Sequence, residues 1–263
     1  MALNYYQQGL DAAQEVRDRE KESSYLNCLG WVYRSLGQPQ QAIEVLQQSK
    51  NIDNCQNISE TLRMLGDAYN DLHYHKEAIQ AYQSALELNP DDIYSHNNLA
   101  GVYVVIGQLG EATLHYQRRI ELRPEVALNA RVSLGVIARH QGNDDEARIH
   151  FEKALEDMLD NAQESDLYTP FDFLECKAIA LLCTEQMEEA LDTLQKALDQ
   201  RQPKDTIDFT LYNFLAAAPN PPRGLDKMRQ LLTRLCLRPT RCMVEVVVSN
   251  RAAPVGGNKE GRV

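Results

Sequence analysis

The stretch ALELNPDDIYSHNNLAGVY, residues 85–103, closes one helix and opens another within four residues. Asn89-Pro90 is the stop. Proline lacks the N–H that a continuing helix donates, and it disfavours helical geometry in the residue before it. Asp91 and Asp92 follow, two carboxylates suited to cap the next helix and to sit at its positive end. Thirty-four residues further on, IELRPEVALNARVSLGVI, residues 120–137, repeats the move with Pro124 in the place of Pro90. A chain that repeats its punctuation repeats a structural unit.

The unit emerges when the sequence is aligned on an alanine near the start of each second helix: Ala2, Ala42, Ala78, Ala112, Ala147 and Ala190, at intervals of 40, 36, 34, 35 and 43 residues. Twelve residues before five of these stands a small residue (Gly30, Gly66, Ala100, Gly135, Ala178), preceded by leucine in four cases. Four residues after the alanine comes a large apolar side chain: Tyr6, Leu46, Tyr82, Tyr116, Phe151 or Leu194. Seven after it the residue is usually small, with Arg119 the exception. Spacings of three, four and seven share one helix face, and small residues at fixed points let two helix axes approach closely. Gly37, Gly107 and Gly142 lie five residues before their alanines, where a left-handed residue would end the first helix. Each unit therefore reads as a helix hairpin that cannot bury its apolar face alone, and stacking buries it.

These offsets resemble the tetratricopeptide repeat family, whose consensus has small residues, aromatics and a closing proline at the same places. The match is most specific at residues 59–126. The longer first intervals are similar to repeats of kinesin light chains and of sensor regions in bacterial signalling ATPases. The expected fold is all-α, a right-handed superhelical solenoid of stacked antiparallel helix hairpins. Its expected parts are a half-repeat (second helix only) over 1–20 and four units over 23–160. A weaker fifth unit over 171–204, a degenerate hairpin over 206–236 and a basic tail over 239–263 follow. The half-repeat leaves an apolar face seeking either upstream repeats or another molecule. The acidic segment 156–170 reads as either a lengthened helix or a loop.

The resemblance also implies that first helices line a concave groove that holds a peptide. Its wall would be built from Asn27, Trp31 and Arg34, then Arg63, Asp67 and Asn70, then Tyr94, Asn97 and Asn98, then Asn129, Ser133 and Arg139. Asparagine can pair with both N–H and C=O of an extended chain, arginine can hold a carboxylate in two bonds, and Trp31 offers a broad amphipathic face. A carboxylate clamp for chaperone C-termini, known in the family, finds no match: Asp67 stands at an asparagine place, and Asn129 and Ser133 stand where two cations belong.

Catalytic and metal chemistry find little support. His73 and His75 are two residues apart on either side of a helix turn, with His73 in the glycine place. His96, His115, His140 and His150 read as isolated, and Cys176 and Cys183 share a helix face as core or groove-lining thiols. No phosphate-cradling glycine loop, HExxH or paired-cysteine spacing is present. The sequence therefore predicts a non-enzyme with no cofactor and no metal.

Charge narrows the partners. The net charge is −11, yet residues 223–263 carry nine basic side chains against three acidic ones, so the preceding body is strongly acidic and ill suited to nucleic acid. The longest apolar runs are too short to cross a bilayer. Six dispersed cysteines and an N-terminus without a secretory pattern predict a cytoplasmic protein with reduced thiols. The basic tail, with its MVEVVV run, reads as a partly flexible, loosely ordered terminus, with a fold-back on the acidic body that competes with partners as the alternative. Together these readings predict a protein–protein interaction scaffold. The alternatives are a sensor or oligomerisation array of a larger signalling ATPase or regulator, and the substrate-recruiting part of an enzyme.

Overall fold

The computed structural model describes residues 2–52, 57–160, 170–200 and 209–236; the tail over 239–263, and with it the fold-back expectation, lies outside the described residues. Among the described residues there are thirteen α-helices and no strand. They are α1 (Ala2–Glu15), α2 (Arg19–Ser35), α3 (Pro39–Lys50), α4 (Ile58–Asp71), α5 (His75–Leu88), α6 (Ile93–Val105) and α7 (Leu109–Leu122). After a 3₁₀ turn (Pro124–Val126) come α8 (Leu128–His140), α9 (Asp144–Asp160), α10 (Pro170–Cys183), α11 (Met187–Gln200), α12 (Phe209–Ala217) and α13 (Leu225–Cys236). The most extensive packing joins α2 to α3, α4 to α5, α6 to α7, α8 to α9 and α10 to α11; each second helix then meets the first helix of the next hairpin. The result is a right-handed solenoid of antiparallel hairpins.

The sequence signature maps onto the contacts that make this stack. The aligned alanines 42, 78, 112, 147 and 190 are fully buried. A Cβ placed on Gly30 would lie 2.6 Å from Leu46, on Gly66 2.6 Å from Tyr82, and on Gly135 2.7 Å from Phe151. In these three hairpins the glycine of the first helix thus takes the large side chain of its own second helix against bare backbone.

The turns inside the hairpins repeat one motif. Gly37, Gly107 and Gly142 have φ of 70°, 77° and 83°, and His73 (59°) and Glu185 (67°) take the same left-handed state without being glycine. After each, the next N–H reaches back to the helix: Gln38 N to Tyr33 O at 2.9 Å, Tyr74 N to Tyr69 O at 2.9 Å, Gln186 N to Leu181 O at 2.9 Å. This closure satisfies carbonyls that the helix end would leave open.

The two proline junctions differ. Asp92, not Asp91, caps α6, its carboxylate accepting from Tyr94 N and Ser95 N, while Asp91 pairs with Arg118. At Pro124 no side chain caps α8. There the buried Arg119, in a position elsewhere held by a small residue, donates to Val126 O at 2.8 Å. A long side chain between helices needs room and an acceptor, and the 3₁₀ turn supplies the carbonyl.

His96 and His115 are not isolated, contrary to the sequence reading. Their Nδ1 atoms lie 2.9 Å apart across the α6–α7 hairpin, and His96 Nε2 reaches Pro90 O at 3.0 Å. A carbonyl only accepts, so His96 carries its proton on Nε2 and His115 donates to His96 Nδ1. Burial, then the neighbouring His96, pull the His115 pKa down to about 4, and Tyr103 stacks on its ring.

Candidate concave groove

First helices α2, α4, α6, α8 and α10 line one side of the stack, and a cavity of about 580 Å³ opens along it. Of the residues assigned to the wall from sequence, Arg34, Asp67, Asn70, Tyr94, Asn97, Asn98, Asn129 and Ser133 line this cavity. Asn27, Trp31 and Arg63 border a smaller depression of about 310 Å³ that also meets Tyr6 and Cys28. Arg139 borders neither; it donates to Asn220 O at 3.0 Å and to Cys183 O at 3.3 Å.

Asp67 is the hub of the wall. Only 7% exposed, it accepts from Tyr82 Oη at 2.7 Å, Asn98 Nδ2 at 2.8 Å and Arg34 Nη1 at 3.0 Å, with Arg63 Nη1 at 3.5 Å. Burial, then the Asp67 carboxylate, hold the Tyr82 hydroxyl well above the usual tyrosine range, so it stays a donor. Arg34 does hold a carboxylate in two bonds, at 2.7 and 3.2 Å, but that carboxylate is the chain's own Asp71. From Asn98 the chain of amides continues: Asn97 Nδ2 to Asn98 Oδ1 at 3.3 Å, then Asn129 Nδ2 to Asn97 Oδ1 at 3.0 Å. One hydrogen-bonded ladder thus crosses four first helices, from α2 to α8. Linking the side chains fixes their directions, so the wall presents a preset surface.

Two aromatics stand out from this ladder. Trp31 is 60% exposed, and Tyr94 is 48% exposed with the Arg63 guanidinium 5.4 Å from its ring centre. An exposed ring offers area with few rotors to freeze.

Sequence reasoning stopped the wall at α8 and missed its continuation on α10, where Asp172, Glu175, Cys176 and Ile179 line the same cavity. The signal was present. Shifting Asn129 and Ser133 by the 43-residue interval gives Asp172 and Cys176. Leu211 of α12, which also lines the cavity, carries no such signal.

The remaining chemistry is sparse. Among the described residues no group of three or more His, Cys, Asp or Glu is placed to hold a metal ion, and no helix is long and apolar enough to cross a membrane. Burial pushes the Cys183 thiol up to about 12, which keeps it protonated and unreactive.

A solenoid of hairpins with a polar, aromatic-studded inner wall defines a class of helical-repeat scaffold. Three tetratricopeptide repeat models match residues 1–54, 66–107 and 107–165, more than half of the sequence in all, and the chain belongs to that family. Among curated proteins it is 30% identical over 136 residues to mouse superkiller complex protein 3 and 36% identical over 87 residues to mouse tetratricopeptide repeat protein 36. Those matches take in 44% and 32% of this chain but 8% and 45% of the relatives' lengths, so the chain spans less than half of either relative. Among solved structures it is similar to MamA, with TM-score 0.54 at 28% identity over 62% of this chain and 90% of that one. TTC0263 of Thermus thermophilus shares the fold, with TM-score 0.54 at 19% identity over 74% of this chain and 98% of that one. Family, fold and neighbours support a protein–protein interaction scaffold.

Proposed function

We propose that the chain is a non-catalytic scaffold that holds an extended segment of a partner protein along the concave wall between Trp31 and Asn129. The observation that carries this is an amide ladder with exposed Tyr94 on the same cavity, beside a depression where exposed Trp31 meets Arg63, itself within reach of the ladder's Asp67. Trp31 and Tyr94 would contribute buried apolar area, and Arg63, Asn97 and Asn98 would orient the partner backbone through N–H and C=O contacts. The thiols of Cys28 and Cys183 suit a reducing, cytoplasmic setting. Affinity capture with the intact chain, repeated with Trp31→Ala and Arg63→Glu, tests the reading. Each substitution should weaken a specifically captured partner by about tenfold or more. Partners retained equally by both variants would refute it.

A second reading has its own observation. Helix α1 packs on α2 through Leu10 and Ala13 but leaves Tyr5 exposed on its other side, which suits self-association or further repeats before α1. Tyr5→Glu should then reduce assembly in sedimentation experiments; an unchanged size distribution removes this reading.

A further inference from the structure

Helix α12 breaks the stacking order. Every helix from α1 to α11 packs chiefly on its sequence neighbours, whereas α12 packs chiefly on α8. It does so from the concave side, since Leu211 borders the same cavity as Asn98, Asn129 and Ser133. Residues 209–217 therefore occupy the C-terminal half of the groove.

The contacts resemble those of a ligand in a binding site. Tyr212 and Leu215, three residues apart on one face, are fully buried in a cluster with Val132, Val136, Cys176 and Ile179, while Asn213 and Ala217 face out. The Tyr212 hydroxyl donates to the buried Glu175 carboxylate at 3.2 Å. The segment is also held by its main chain: His140 Nδ1 donates to Phe214 O at 3.2 Å, and Arg139 donates to Asn220 O just beyond the end of α12. His140 also lies 4.6 Å from the Phe214 ring. Bonds to carbonyls do not depend on the sequence being held. A helix of nine residues is marginal by itself, so α12 is helical because the groove makes it so.

We propose that this half of the groove is a binding site for short amphipathic helices with large apolar or aromatic side chains at i and i+3, the places of Tyr212 and Leu215, and that α12 is its occupant in cis. The inference rests on the scaffold reading above and adds a second site of different chemistry, apolar and helix-shaped, beside the polar wall. A tethered occupant competes at millimolar effective concentration, so an external helix at micromolar concentration gains access only when α12 opens.

Two measurements on the full chain test this. In native-state hydrogen exchange, the amides of α12 should open at least about tenfold more readily than those of α8 and α10; exchange of α12 only together with α8 and α10 would overturn the proposal. A fluorescently labelled peptide of residues 209–218, FTLYNFLAAA, is then titrated into the wild type and into the Tyr212→Ala/Leu215→Ala variant. The variant should bind it at least about tenfold more tightly, and adding His140→Ala, which removes the bond to the Phe214 carbonyl, should weaken it again. A variant that keeps its helical circular dichroism but binds the peptide no better than wild type defeats the idea. If the variant loses its fold, the hydrogen-exchange result decides alone. A concentration-dependent dimer with α12 exchanged between copies would make a second chain the occupant and overturn the proposal. Trp31 and Arg63 take no part in these measurements, so failure here leaves the scaffold reading standing, and failure there leaves this one.

Discussion

The two ends of the groove present opposite surfaces. Around α2, α4 and α6 the wall is open, polar and cross-linked, with Trp31 and Tyr94 projecting from it. Around α8 and α10 the wall also carries the apolar side chains Val132, Val136 and Ile179, and α12 covers them, with Tyr212 and Leu215 wholly buried. The backbone framework is the same hairpin throughout, so the difference lies in which side chains the repeat leaves unspecified. A polar wall can face water once its groups are paired, whereas an apolar wall cannot remain bare and recruits a segment to cover it.

The strongest way to break the comparison is Asp67→Ala. It leaves Arg34, Arg63, Tyr82 and Asn98 without their shared acceptor and should cost about 3 kcal/mol in chemical denaturation. A loss under 1 kcal/mol would show that the ladder is not what holds the open end. At the filled end, Tyr212→Phe removes one hydrogen bond to Glu175 and keeps the buried ring, so about 1 kcal/mol is expected in the same assay. A much larger cost there would mean that the plug is held by polarity after all.

Between the two ends lies the His96–His115 pair, which supplies a pH response. The folded pKa of His115 is about 4 against an ordinary 6.5, so between those values the unfolded chain binds more protons than the folded one. Stability should therefore be full above pH 6.5, fall as pH drops toward 4, and lose nothing more from this group below. His115→Ala should flatten the melting-temperature profile over that window; an equally steep profile would assign the acid sensitivity to other groups. The smallest effect concerns His73, left-handed at φ 59° where other turns use glycine. His73→Gly should stabilise by about 0.5–1 kcal/mol, offset in part by the entropy glycine brings to the unfolded chain.

Much of this was legible in the residues. Ala42, Ala78, Ala112, Ala147 and Ala190, the glycines opposite Leu46, Tyr82 and Phe151, and the turn glycines all do in space what their spacing implied. The groove wall was legible as far as the register was followed, from Arg34 to Ser133, and the same register extended to Asp172 and Cys176 would have reached α10. The pairing of His96 with His115 was hidden because the preceding unit holds Leu62 and Ala81 at the equivalent places, so no repeat of the pattern announced it. Arg139, assigned to the wall from its register, borders neither cavity and donates to the carbonyls of Cys183 and Asn220, bonds that no repeat position signals.

By itself the sequence determined the hairpin, its length, its turns and the stacking of neighbours, because each of those depends on residues fewer than about forty positions apart and recurs often enough to be recognised. Only the tertiary structure decided where α12 goes. Its partners on α8 and α10 lie some 35–80 residues away, and its apolar face would suit any exposed apolar surface. The selection is made by the apolar stretch of groove on α8 and α10, where Val132, Val136 and Ile179 need cover.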